Sequence, residues 1–143
     1  MAYPPLIQHA TEAECRAHFE RVYCQGPLAT FDGIQVRFRK RDFKHCFFES
    51  VREKDDTFSL RRAERVDWIK AALEDPTADL RIGWDNKRKA LATDRRVAIV
   101  LHDYLVVIRI SNDDAQRAEF VTAFVGGRRA ILQARRNPPW PRA

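Results

Sequence analysis

Residues 95 to 110 read RRVAIVLHDYLVVIRI, and this stretch settles the class of fold. Two apolar, β-branched runs, VAIVL and YLVVIRI, flank the dipeptide His102-Asp103. Its length suits a hairpin turn, although it lacks the Asn-Gly or Asp-Gly of the strongest turns. The spacing predicts two adjacent antiparallel strands. Upstream, after Pro76, LRIGW, the turn DNK and KALAT continue the same short-strand texture. Downstream, the polar SNDDAQ leads to EFVTAFV, where alternation places Phe120, Thr122 and Phe124 on one face. Gly126-Gly127 then releases the chain into RRAILQARR, a short C-terminal helix, before the proline-rich NPPWPR.

The first half is helical. Thr11 and Glu14 fit a capping box, and Cys15, His18, Phe19, Val22 and Tyr23 recur at helical spacing until Gly26 and Pro27, giving a helix over 12 to 24. GIQVRF alternates Ile34, Val36 and Phe38 with Gln35 and Arg37, the period of a half-buried strand. A second helix begins at Ser59 as N-cap and runs through LRRAERVDWIKAALED to Pro76. On its wheel Val66, Ile69 and Leu73 share a stripe headed by Arg62, with Arg65 flanking it on the Trp68 side. Glu64, Asp67 and Lys70 take the opposite face, so the two arginines point toward whatever the helix covers. This order predicts an α+β domain: N-terminal helices packed on one face of a four- to five-stranded, mostly antiparallel sheet, with a short C-terminal helix. The 143 residues suit one domain with its core at about 12–134 and irregular tails at 1–10 and 135–143.

Composition narrows the chemistry. Lys plus Arg number 26 against 20 Asp plus Glu, a net charge of +6, which favours an anionic partner, nucleic acid before a membrane surface. Cys15, Cys24 and Cys46 include no CxxC pair, which argues against a disulfide framework or a thiolate metal site. The start lacks a basic segment followed by an apolar run, and no apolar stretch nears the roughly 18 residues of a membrane span. A reduced cytoplasmic protein with no membrane partner is expected. His9, His18, His45 and His102 lack HxxxH, HxH and HExxH spacing, and there is neither a Gly-rich phosphate loop nor GxSxG. Neither metal nor cofactor is therefore expected.

Metal-free phosphodiester chemistry remains open to such a chain. RNA carries its own nucleophile, the 2′-hydroxyl, so an enzyme must remove that proton, protonate the leaving 5′-oxygen and stabilise charge on the phosphorane. Histidine performs either transfer near neutral pH, and arginines hold phosphate through paired hydrogen bonds. His45, Arg62, Arg65 and Arg109 are of the right types, and the hydroxyl of Thr122 can donate to the scissile phosphate. His45 ends a cationic run, Arg37, Arg39, Lys40, Arg41 and Lys44, and precedes Cys46, Phe47 and Phe48, which would pack behind its imidazole. Each residue also has an ordinary structural reading. His45 can sit hydrogen-bonded at the edge of an aromatic cluster, and Arg62 and Arg65 can pair with Glu64, Asp67 or a sheet carboxylate. Thr122 can be a plain strand former, the RKR of 39–41 a solvated turn, and Trp68 and Trp84 core residues.

The sequence of FKHCFF, FSLRRAERVDWIKAALEDP, RRVAIVLHDYLVVIRI and EFVTAFV, over about residues 34 to 127, resembles the phage-associated branch of the superfamily joining barnase, EndoU, the tRNA-cleaving colicins and RelE. The resemblance implies N-terminal helices before a four-stranded antiparallel sheet, with a metal-independent ribonuclease site on the open sheet face, in a phage-derived or toxin-like protein. It puts the family's histidine at His45, its helix arginines at Arg62 and Arg65, and its late-strand hydroxyl at Thr122. Lys44, Lys87, Lys89 and Arg109 are left as candidate RNA-phosphate contacts. The implied partner is RNA, with tRNA one candidate and an inhibitor or immunity protein another partner to test for. No strand carboxylate offers itself as general base, so His45 would take one proton-transfer role and water, a lysine or Tyr104 the other. Two readings compete: a non-catalytic nucleic-acid-binding domain, and a structural or interaction protein that retains the fold without the activity.

Overall fold

A computed structural model describes residues 4–85 and 87–140 of the chain. The first helix, α1 (Glu12–Tyr23), begins as its capping box requires: the Thr11 hydroxyl accepts from the Glu14 amide, and the Ala10 amide donates to the Glu14 carboxylate. Strands β1 (Leu28–Ala29) and β2 (Gln35–Arg37) follow, then the short helix α2 (Asp42–Phe47) and a small ribbon of β3 (Phe48–Glu49) with β4 (Thr57–Phe58). The helix expected from Ser59 to Pro76 is broken into α3 (Leu60–Ala63) and α4 (Trp68–Glu74), joined by turns. Ser59 does cap the first piece, its hydroxyl accepting from the Arg62 amide. The strand region holds β5 (Asp79–Ile82), β6 (Trp84–Asp85), β7 (Ala90–Leu91), β8 (Arg96–Leu101), β9 (Tyr104–Ile110) and β10 (Arg117–Val125), and α5 (Arg128–Arg136) closes the chain.

The main sheet has six strands in the order β1-β2-β10-β9-β8-β5, one or two more than expected. Its centre is the hairpin of residues 95–110: β8 and β9 pair antiparallel from Leu101↔Tyr104 to Arg96↔Arg109, with His102 at φ 55 in the tight turn. Among the described residues the one parallel pairing joins β2 to β10, because the chain between them runs from α2 through β9 before returning. β6 and β7 form a separate two-stranded ribbon, and the expected turn DNK includes Asn86, which lies outside the described residues.

Alternation along the strands divides the side chains between two faces. Val97, Ile99 and Leu101 of β8 and Tyr104, Val106, Ile108 and Ile110 of β9 are buried on the face covered by α1, α2, α3 and α4. There they meet Phe19 and Tyr23, Phe43 and Phe47, and Val66, Ile69 and Leu73. Burial of each such side chain contributes about 1.5–3 kcal/mol, which is why these short helices hold although none would be stable alone. Truncating Phe19, whose ring touches those of Tyr23, Phe38, Phe43 and Phe47, would cost about 3–5 kcal/mol.

The other face carries Ala98, Val100 and Leu105, packed with Ala134, Ile131 and Phe124. Helix α5 therefore lies on the side opposite the N-terminal helices, so helices cover both faces of the sheet and not the one face expected from the order of elements. Gly126 permits this: a Cβ there would stand 2.5 Å from Leu105 Cδ1 and 2.9 Å from Ile131 Cδ1. Of the segments expected as irregular tails, the described residues 4–10 and 137–140 lack helix or extended strand but are tied down, while Arg135 and Arg136 still belong to α5. Pro4 accepts from Trp68 Nε1, and the Ile7 amide donates to Glu64 O. Pro139 bridges Arg81, and the Trp140 amide donates to Leu80 O.

Candidate active site

The face bearing α5 is only partly covered, and beside the helix opens a cleft of about 730 Å³. Its floor is Ala98, Leu105, Val107 and Phe124, and its wall on the helix side is Ala130, Gln133 and Ala134. Thr122, Val107 and Ala98 stand in register on β10, β9 and β8, so the floor crosses three strands, a span of about 10 Å. The polar groups facing this space are those of His45, Thr122, Trp84, Arg96, Arg129, Gln133 and Asn137.

Thr122 reaches the cleft through a bulge. Phe120 pairs with Ile108 and Thr122 with Val107, so Val121 is an extra residue and the alternation shifts by one. Phe120 consequently faces the helices, stacked on Phe38 at 4.6 Å, while Thr122 and Phe124 face the cleft side. The expectation that Phe120, Thr122 and Phe124 share a face is thus corrected, because unbroken alternation fails at Val121.

His45 projects from α2 into the same cleft. Its helix is anchored by Phe43, Cys46 and Phe47, all buried, and by the Cys46 thiol, which donates to Ala123 O on β10. Burial pushes that thiol up to about 12, which makes it a packing group. The imidazole is 45% exposed, and its Nδ1 lies 3.4 Å from Oδ2 of Asp55, a carboxylate only 17% exposed. Asp55 adopts φ 52 in the loop between β3 and β4. That loop is held by Asp56, whose carboxylate accepts from the amides of Val51, Arg52 and Glu53, hydrogen bonds that keep it well below the usual carboxylate range.

The two helix arginines lie elsewhere. Arg62 donates to the carbonyls of Cys46 and Phe48, at 3.3 and 3.1 Å, and so braces the C-terminal end of α2 from behind. Arg65 donates to Arg61 O and Glu64 Oε1 and lies over the Trp68 ring at 4.9 Å. Neither lines the cleft. Tyr104, weighed as a second proton-transfer group, is 3% exposed on the helix-covered face against Trp68.

The candidate RNA-phosphate cations also spread. Lys44, Lys87 and Lys89 are exposed and outside the cleft, with Lys89 at φ 51 in the turn before β7. Arg109 lines a different depression, of about 710 Å³, with Arg37 and Arg117 balanced by Asp94, Asp113 and Glu119. It donates to Asp94, which also holds Arg96. Burial raises the Asp94 carboxyl, but the Arg96 and Arg109 hydrogen bonds and charges outweigh it, leaving the group below its ordinary value. Arg96 is thereby largely neutralised by Asp94 and by Asp85 at 3.7 Å.

Residues that sequence reasoning passed over complete the cleft. Arg129 faces it from α5, and no side-chain hydrogen bond or ion pair joins it to another described residue. Its signal was the arginine-rich RRAILQARR, whose docking side could not be known. Trp84 stands at the β5 side, expected as core but half-buried at the cleft edge. Gly83 beside it admits close approach of the strands: a Cβ would stand 2.8 Å from Arg96 Cβ. Among the described residues no three His, Cys, Asp or Glu side chains gather as a metal cage, and no helix is long and apolar enough to cross a membrane.

No family model matches this chain, and neither does any curated protein or solved structure.

Proposed function

We propose that the cleft is the site of a metal-independent endoribonuclease that cleaves RNA by attack of its own 2′-hydroxyl, in the manner of the superfamily the sequence resembles. The observation that carries this reading is that His45, backed by Asp55, and Thr122, aimed by the Val121 bulge, open into one concave space although 77 residues separate them.

Neutral His45, its Nδ1–H directed at Asp55, presents Nε2 as base to the 2′-hydroxyl. The 2′-oxygen attacks phosphorus, and the bond to the 5′-oxygen breaks. That oxygen takes its proton from water in the open cleft, and the hydroxide left behind takes the proton that His45 removed, which restores the neutral imidazole. The products are a 2′,3′-cyclic phosphate and a 5′-hydroxyl. As imidazolium, His45 is stabilised by the Asp55 charge, and the Thr122 hydroxyl and Arg129 guanidinium stabilise the added charge on the phosphorane oxygens. In this reading Arg62 positions α2 and touches no substrate.

The test is incubation of purified protein with RNA in EDTA, with analysis of the new ends. Cyclic phosphate termini, lost on His45→Ala with the circular dichroism spectrum retained, support the proposal. Intact RNA, or equal cutting by His45→Ala, overturns it. RNA bound but left intact points to the non-catalytic nucleic-acid-binding reading.

A further inference from the structure

The outer face of α5 bears a charge pattern the cleft chemistry does not use. Within its nine residues stand Arg128, Arg129, Arg135 and Arg136, with no acidic residue. Arg128, Leu132 and Arg136 follow one another at intervals of four, so they form a ridge along the solvent side, about 12 Å long. Leu132 is 47% exposed between the two cations. Arg135 donates to His102 O, whereas neither the Arg128 nor the Arg136 side chain has a hydrogen bond or ion pair to another described residue. An arginine-rich helix with no compensating carboxylates creates a local positive field.

This ridge is continuous with the cleft. A shallow depression of about 400 Å³ is lined by Arg128, Arg129, Leu132, Gln133 and Arg136, and two of these, Arg129 and Gln133, also line the cleft with His45. One helix thus joins a more enclosed reaction space to a more open, shallow cationic surface. A flat anionic surface could meet the ridge but could not follow it into the cleft, whereas a flexible polyanion can do both.

We infer that α5 is a grip for single-stranded RNA: a strand leaving the cleft past Arg129 lays successive phosphates on Arg128 and Arg136, with a base face against Leu132. The inference deepens the ribonuclease reading by adding an extended substrate path, and it rests on that reading only for the direction of the strand. The contacts are to the backbone, so binding here is indifferent to sequence and falls with salt.

The experiment measures binding of the full chain to a 2′-O-methyl oligoribonucleotide, which lacks the nucleophile, over a range of salt concentrations. In Arg128→Gln/Arg136→Gln, affinity should fall about tenfold or more at low salt, and the slope of log affinity against log salt should flatten by about 1.4. Cleavage of a dinucleotide too short to reach the ridge should stay unchanged. Should the double variant unfold, Arg136→Gln alone should flatten the slope by about 0.7. An unaltered slope overturns the inference, as does binding to anionic vesicles that the oligonucleotide fails to compete away. A protein that binds in this arginine-dependent way yet leaves RNA intact removes the ribonuclease reading and leaves the grip standing.

Discussion

Nδ1 of His45 lies 3.4 Å from Oδ2 of Asp55, with the carboxylate mostly buried and the imidazole open to the cleft. The pair comes from two elements, α2 and the β3–β4 loop, and only their packing joins them. A carboxylate behind a histidine fixes its tautomer and ring orientation and stabilises its charged form. Asp55→Asn should therefore lower the rate of RNA cleavage about tenfold or more, but less than the roughly hundredfold or greater loss expected of His45→Ala. Single-turnover rates on both variants, with folding checked by circular dichroism, measure this; an Asp55→Asn rate equal to the parent's removes Asp55 from the mechanism.

Asp56 acts one step further back. Its three amide hydrogen bonds hold the loop in which Asp55 sits, and they depress its own pKa. Asp56→Ala should release the loop, speed amide exchange at residues 51–53 and reduce cleavage as Asp55→Asn does. Retained amide protection in the variant would show that the loop is held by other means.

Arg62 separates bracing from catalysis. Losing the two charged hydrogen bonds to the Cys46 and Phe48 carbonyls in Arg62→Met should destabilise the fold by about 1.5–3 kcal/mol. The loss should appear as a lowered midpoint in urea, with substrate affinity unchanged at temperatures where the variant stays folded. A variant as stable as the parent but defective in RNA binding would restore Arg62 to the phosphate role implied by the family resemblance.

Thr122 can be tested at constant shape. Thr122→Val keeps a β-branched side chain at the bulge and removes the hydroxyl, while Thr122→Ser keeps the hydroxyl. Activity should fall about tenfold or more in the first and persist in the second, if the hydroxyl stabilises charge in the transition state. Equal activity in both assigns the residue to strand packing alone.

A second histidine pair, away from the cleft, sets a pH dependence of stability. His9 Nε2 lies 3.3 Å from His18 Nδ1, and His18 Nε2 lies 2.8 Å from Asp67. Burial, followed by the His18 charge, holds His9 below the ordinary 6.5 of histidine, and these together with Arg21 outweigh the opposing pull of Glu14 and Asp67. The unfolded chain then takes up this proton before the folded one. Stability from His9 is full above 6.5, is lost as pH falls through the interval below it, and levels off beneath the folded value. His9→Gln should flatten urea-derived stability as pH falls below 6.5. An identical pH profile in the two proteins refutes this.

Legibility followed the range of the interaction. The Thr11–Glu14 box, the Ser59 cap and the hairpin at 95–110 depend on neighbours a few residues away, and each formed as read. The Val121 bulge did not show, because it is a mismatch of register between two strands and has no composition of its own. The break between α3 and α4 was hidden for a related reason: the apolar stripe of Val66, Ile69 and Leu73 is compatible with one continuous helix.

The sequence by itself determined an α+β chain of basic character, with a histidine locked beside an aromatic core segment and a hydroxyl on a late strand. Local propensity, periodicity and side-chain chemistry suffice for that. Tertiary structure decided which groups meet: Asp55 behind His45, Arg62 behind the helix rather than in the cleft, and Arg129 facing inward from a helix on the opposite side of the sheet. Such meetings depend on which faces bury against one another, and burial is a property of the whole chain, fixed only when every apolar surface has found its partner.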